Sequence, residues 1–551
     1  MSTTETTQIL DQPAGVKTLN RTAAVWVSYR IMVAAFIAYC VISAAVVAIG
    51  SGLMLTNPWD NTLPEGAHVY AAIRAAQTGH LYSPYTQSPY VVQSYGPLFY
   101  VINAAIARAS HLDVWQTVFH GRLFVFFCYL FCGVFVFAIS RKAGATSAVS
   151  LLASLMMLGP ADFAYWNVSV RPDVPFLLAM LISLYFAVSD ESSDSYSLAI
   201  SGFFAALAFL IKQPGIAAGI AIFGVLAWNK QYKKAAIFAI AASVPVTVAF
   251  ALLLWRESSF LQQFSSVGKA TWSLREGIYF LFLRFIANDN ALIRVVPFCI
   301  GIIGLIKAAN QKGSRQMLVW FAVANWMMGL SGLPQLGATT NYFMPGWAGF
   351  ALLLPAAAEF ARERPHITAS VPRFTATMLA ASALLLWSAW LGYLTCRYTA
   401  GFYRAPGNVS YAPLRPYRII SDRSVLALYG HDPELLDNFA VHSLELKNLW
   451  SSAPLVADIG QEKYDLIFLL RVNYKHVATN YRGVSEYSPA TLAAINEKYV
   501  VLCSTMSSMI LKPRDHDIAL TPQYFGEMLH GRCGIGLANK SPKLTMEQDS
   551  Q

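Results

Sequence analysis

Few acidic residues stand where a carboxylate could meet both water and lipid, and each is therefore informative. Asp60 and Glu65 lie in TNPWDNTLPEGAHVY; Asp162, Arg171 and Asp173 lie in ADFAYWNVSVRPDVPF. A carboxylate held at a water-accessible hollow can take the proton of an attacking hydroxyl. The Arg171-Pro172-Asp173 step opens an apolar run, and ionisable groups at that depth usually face a polar cavity. Lys212, in LIKQPGIAAG, is flanked by apolar residues on both sides, and Arg275 and Arg284 fall in the 256–289 segment. Ammonium and guanidinium groups offset the charge of a phosphate well. A third set is Asn341 and Tyr342 in GATTNYFMPGWAGF, where an amide and a phenol can hydrogen-bond a sugar. Each has a plainer reading: solvated loop carboxylates, a snorkelling lysine, an interfacial aromatic belt, helix-entry residues. The chain has no P-loop, GxGxxG, HExxH, CxxC pair or nucleophile elbow, so nothing supports nucleotide-dependent chemistry.

The elements that must position these groups are set by composition. Of 551 residues, 56% are hydrophobic and 13% charged, with a mean hydropathy of +0.44. A soluble domain carries roughly 25% charged residues, so lipid must cover much of this surface. The net charge of +10 is no signature of nucleic-acid binding in such a chain, because its placement matters more than its sum. The polar N-terminus lacks the pattern of a signal peptide. Cys40, Cys128, Cys132 and Cys299 fall in apolar stretches as small buried hydrophobes, whereas Cys503 and Cys533 lie in a polar tail and could pair if that tail is extracytoplasmic.

Apolar runs long enough to cross ~30 Å of hydrocarbon occur near 30–55, 117–140, 146–162, 173–189, 196–211, 213–229, 235–255, 290–307, 316–333, 342–360 and 375–395. The count is about eleven, with Lys212-Gln213-Pro214 breaking one long run into two helices. A cytoplasmic N-terminus puts Arg141-Lys142, Lys230/Lys233/Lys234, Lys307/Lys312/Arg315 and Arg362/Arg364/Arg373 inside, as the distribution of bases in short loops requires. Residues 64–79 and 96–110 are expected as amphipathic helices lying on the outer surface. The expected organisation is a cytoplasmic segment 1–28, a membrane domain 29–395, a small extracytoplasmic α/β domain 396–535 and a disordered tail 536–551. Strand-like runs in the tail are 424–430, 464–470 and 499–512, between helix-like stretches 433–449 and 489–498.

In this order, PEGAHVYAAIRAAQTGHLYSPY, YGPLFYVINA, HGRLFVFF, SVRPDVPFLLAMLISLYF, LIKQPGIAAG and GATTNYFMPGWAGFALLL resemble the GT-C superfamily of membrane glycosyltransferases. The likeness is to bacterial relatives of aminoarabinose transferases and protein O-mannosyltransferases, over roughly residues 30–395, and the tail (LLDNF, LVADIGQEKYDLIFL) is similar to their small outer domain. The resemblance implies a mainly α polytopic fold and transfer of a sugar from a polyprenyl-phosphate donor to an unidentified acceptor, with inversion, at the outer face of the plasma (inner) membrane. It implies an acidic base in the first outer loop, Glu65 ahead of Asp60, although the adjacent Asp-Glu often seen there is missing. It further implies Asp173 as a second acid, Lys212 beside the lipid phosphate with Arg171, Arg275 or Arg284, and Tyr70, Tyr95, Asn341 and Tyr342 near sugar or acceptor. No cofactor is expected; no compact DxD ligand set is present, and a divalent metal is not predicted. The rival readings are a secondary transporter or flippase, which would carry charges across the midplane, and an inactive scaffold of the same fold.

Overall fold

The computed structural model describes residues 36–62, 64–160, 163–188, 195–266, 272–279, 291–335, 339–363, 410–434, 437–470, 487–505 and 508–529, with single residues 34, 281 and 533. Helices occupy ten of the eleven expected apolar segments; the eleventh, 375–395, lies outside the described residues, as do the expected domain boundaries at 28, 396 and 536. Three helices are long and apolar enough to cross a membrane by themselves: Phe36–Met54, Val114–Lys142 and Tyr232–Arg256. Thr340–Leu352 and Leu354–Phe360 form a fourth if counted as one span bent by 42°. The other apolar helices are shorter than the sequence suggests. Asp173–Ala187, with 15 residues, rises about 22 Å, less than a straight crossing, because Pro172 and the Val188 turn cut the run at each end.

Lipid-facing surface is explicit in the side chains. Tyr232–Arg256 buries only Ala235, Phe238 and Leu253, and along it Ile240, Val244, Val248 and Leu252 are exposed, with Trp255 85% exposed at its end. A stripe of that kind on a 25-residue helix is stable only against hydrocarbon. The opposite faces form one apolar core, in which Ser195–Ile211 packs against both Asp173–Ala187 and Tyr232–Arg256.

The segments expected as surface helices are helical at Glu65–Thr78 and Pro97–Ala109. Proline precedes or opens each, where its missing N–H costs nothing, and Gly79 at φ +76° closes the first as the left-handed cap that glycine adopts freely. Gly96 is pressed against the end of Ser195–Ile211. A Cβ there would lie 2.1 Å from the Leu210 carbonyl oxygen, and the Gly96 N–H donates to the Ile211 carbonyl at 3.1 Å.

The small C-terminal domain is α/β, with strands β1 (Ile419–Ser421), β2 (Leu466–Leu470), β3 (Tyr499–Ser504) and β4 (Ser508–Pro513) in the order β1-β2-β4-β3. β1 and β2 are parallel, β4 is antiparallel to both β2 and β3, and the register shifts between Val501 and Cys503. The run 464–470 is a strand as expected, and 499–512 resolves into a hairpin. The run 424–430 is not a strand: Ser424–Leu428 is a short helix. The cause lies in the other domain, where the Asp60 carboxylate accepts the Val425 N–H and the Ser424 hydroxyl at 2.8 and 2.7 Å, satisfying donors that a helix start leaves open. Further stitches are Trp59 Nε1–H to Tyr411 Oη at 3.1 Å and the Tyr90 N–H to the Glu434 carbonyl at 2.6 Å. Cys503 and Cys533 form a disulfide.

Candidate functional site

Arg171, Asp173 and Lys212 meet although they come from three separate turns. Asp173 is the first residue of its helix, after Pro172, where the helix dipole favours an anion. Lys212 is extended (φ −151°, ψ 134°) between the end of Ser195–Ile211 and the 3-10 turn Gln213–Gly215, so the break inferred from Lys-Gln-Pro is what aims the ammonium inward. Its Nζ donates to Asp173 Oδ1 at 2.6 Å; Arg171 Nε approaches Asp173 Oδ2 at 3.3 Å; and Asn341 Nδ2 donates to Asp173 Oδ1 at 2.7 Å. Arg171 Nη2 donates to Tyr95 Oη at 2.7 Å. Lys212 also sits over the rings of Tyr342, Phe176 and Tyr95 at 5.2–5.6 Å, and Arg171 lies 4.8 Å from the ring of Trp166. One carboxylate between two cations leaves one unit of positive charge, desolvated and held by aromatic faces.

That charge faces a cavity of about 770 Å³. Lys212, Arg171, Tyr95, Asn341 and Tyr342 line it from the membrane domain; Asp173 lies behind the two cations, fully buried. Its geometry is that of a tether for the bases, whereas the sequence suggests an acid in contact with substrate.

Glu65 is elsewhere. It is 0% exposed and off the cavity. Its carboxylate accepts Arg122 Nε and Nη2 at 2.8 and 2.7 Å, and the Asn61 and Val170 N–H groups at 2.7 Å each. Four donors fill its acceptor positions, so a substrate proton has no access without dismantling the network. Arg122, from HGRLFVFF, further donates to the Asn57 and Trp59 carbonyls. Asp60 is likewise consumed by the interdomain contact described above, and burial together with the Glu65 charge pushes its carboxyl above the usual range. Tyr70 packs beside Val69 and Ala67, off the cavity. Arg275 is exposed on Leu274–Tyr279 and also off the cavity. Arg284 and Asp162 lie outside the described residues.

Two cavity residues escape the sequence reading. His68 lines the cavity one helical turn beyond Glu65; its Nε2 has no hydrogen-bond partner among the described residues, and burial followed by the Arg171 charge holds it neutral, well below the ordinary range. The spacing from Glu65 was its only signal. Asp437 enters from the C-terminal domain as the cap of Asn438–Glu445, accepting the Ala440 N–H at 3.2 Å. Among the described residues no group of three or more His, Cys, Asp or Glu is placed to hold a metal ion.

The fold is shared with solved proteins. The apo ArnT of Cupriavidus metallidurans superposes with a TM-score of 0.55 at 12% identity, over 86% of this chain and 97% of that one. The same enzyme bound to undecaprenyl phosphate superposes with a TM-score of 0.54 at 13% identity over the same shares. A family model described as dolichyl-phosphate-mannose-protein mannosyltransferase matches residues 102–255. The chain has the GT-C fold. No curated protein matches it in sequence. At such identity the likeness establishes the GT-C fold, an integral membrane fold, and leaves the chemistry to this chain's own residues.

Proposed function

We propose that this GT-C protein is a glycosyltransferase that takes a sugar from a polyprenyl-phosphate donor and passes it to an acceptor hydroxyl on the extracytoplasmic side of the plasma membrane. The observation that carries the reading is the buried pair Lys212–Arg171 on one carboxylate, facing a cavity that both domains line. A lipid phosphate entering that cavity meets two preorganised donors and a surplus positive charge. Negative charge develops on the phosphate oxygen as the C1–O bond breaks, and fixed cations in a site poor in water stabilise it more than solvent would. Asp173 and Asn341 hold the ammonium in place, while Tyr95 and Tyr342 flank it and present phenols to the sugar. Attack from the face opposite the phosphate would invert the anomeric centre. The bound undecaprenyl phosphate of the similar ArnT supports a lipid-phosphate donor.

The proposed sidedness is supported by the basic short loops and by the Cys503–Cys533 disulfide, a bond that persists in oxidising compartments. Charge neutralisation is assigned to Lys212 and Arg171, with no role given to a metal. The transporter reading is disfavoured because the described ionisable residues of the site gather in one hollow. Membranes carrying the chain, given a panel of radiolabelled polyprenyl-phosphate sugars, should release polyprenyl phosphate and label an acceptor from one donor. Equal release by wild type and Lys212→Met would refute the assignment.

A further inference from the structure

With Glu65 and Asp60 fully engaged and Asp173 behind the cations, the membrane domain presents no free carboxylate to the cavity among the described residues. The C-terminal domain does. Asp437 is 7% exposed and lines the cavity that Lys212 and Arg171 line. Only its Oδ1 is spoken for, by the Ala440 N–H, and no cation pairs with it among the described residues.

We propose that Asp437 is the catalytic residue that accepts the acceptor's proton, so that the small outer domain completes the active site. This inference rests on the glycosyltransferase reading above. In the step, the acceptor oxygen forms a bond to C1 of the sugar and the C1–O bond to phosphate breaks. The electron pair leaves on the polyprenyl phosphate, beside Lys212 and Arg171, and the hydroxyl proton passes to the free Oδ of Asp437. A base for this role must be basic enough to hold that proton. Burial pushes the Asp437 carboxyl up to about 7, against the lowering effects of the Ala440 N–H and the Arg171 charge. The titratable groups around it are Arg171, Lys212, Tyr95, Tyr342 and His68 in the cavity wall, Tyr100 behind them, and Asp422, which is joined to Asn438 by a 3.3 Å hydrogen bond.

Asparagine caps helices as well as aspartate does, so Asp437→Asn keeps the fold of Asn438–Glu445 while removing the base. The test uses the full-length chain in membranes, with two readouts: binding of undecaprenyl phosphate, and release of polyprenyl phosphate from the labelled donor panel. Asp437→Asn should bind undecaprenyl phosphate within about twofold of wild type and lose transfer by roughly 10²–10⁴-fold, with partial recovery in Asp437→Glu. Lys212→Met should instead lose binding. Wild-type transfer should fall tenfold per unit as pH drops below about 7. Wild-type transfer by Asp437→Asn, or a flat wild-type profile from pH 5.5 to 8, overturns the assignment of Asp437 alone. A wild-type chain that releases polyprenyl phosphate from no donor overturns the glycosyltransferase reading, and this inference with it.

Discussion

Glu65→Gln separates a structural carboxylate from a chemical one. In the structure the Glu65 carboxylate receives two N–H groups from Arg122 and one each from Asn61 and Val170, all at 2.7–2.8 Å, with both charged side chains at 0% exposure. Glutamine replaces one acceptor oxygen with an amide that points hydrogens at two donors, and it leaves the Arg122 charge buried without an anion. Breaking a buried pair from one side costs about 3–5 kcal/mol, a fifth or more of a typical stability of about 5–15 kcal/mol. Purified Glu65→Gln should therefore unfold at markedly lower temperature or denaturant than wild type. Adding Arg122→Met, which removes the orphaned charge, should restore part of the loss, giving a coupling energy in a double-mutant cycle. A Glu65→Gln chain with wild-type melting and no transfer activity would refute this reasoning and return Glu65 to the role of base.

Lys212→Met removes one charge-assisted contact to phosphate, worth about 1.5–3 kcal/mol; undecaprenyl phosphate binding should weaken roughly 10- to 150-fold, as read by titration. Asp60→Ala releases the Val425 N–H and Ser424 hydroxyl, so limited proteolysis should reach the C-terminal domain sooner and transfer should fall with it; unchanged cleavage would refute the contact's role. Cys503→Ser opens a loop of sequence separation 30, for which the chain-entropy relation gives a loss of about 3.6 kcal/mol; reductant should likewise lower the C-terminal domain's melting transition, and indifference to reductant would count against the bond.

The membrane helices were legible because length and apolarity act locally: a run such as 232–256 reports its environment without reference to any partner. The helices Glu65–Thr78 and Pro97–Ala109 were legible for the same reason, since proline and glycine fix their ends. Within the site, Arg171 and Lys212 stood out as charges set at the ends of apolar runs, and what betrayed them was cost. Glu65 misled because type and position suggested a base, while its partner Arg122 lies 57 positions away in a run read only as a membrane span. The segment 424–430 misled because its helix is capped by Asp60, 365 positions upstream of Val425. Asp437 was silent for the opposite reason. A helix-capping aspartate in a polar tail has the same local sequence whether it faces water or a cavity shared with another domain.

The missing side chain at Gly96 has a mechanical meaning. With the Gly96 N–H bonded to Ile211, and Gln213 Nε2 donating to the Ser94 carbonyl at 2.6 Å, the loop bearing Tyr95 and the hairpin tip bearing Lys212 are seamed together. Phenol and ammonium then travel as one jaw. Prising them apart would break both bonds, so under the proposed function a lipid donor would be admitted past the other walls, and bulk introduced at position 96 should shift the ammonium before it disturbs the helices.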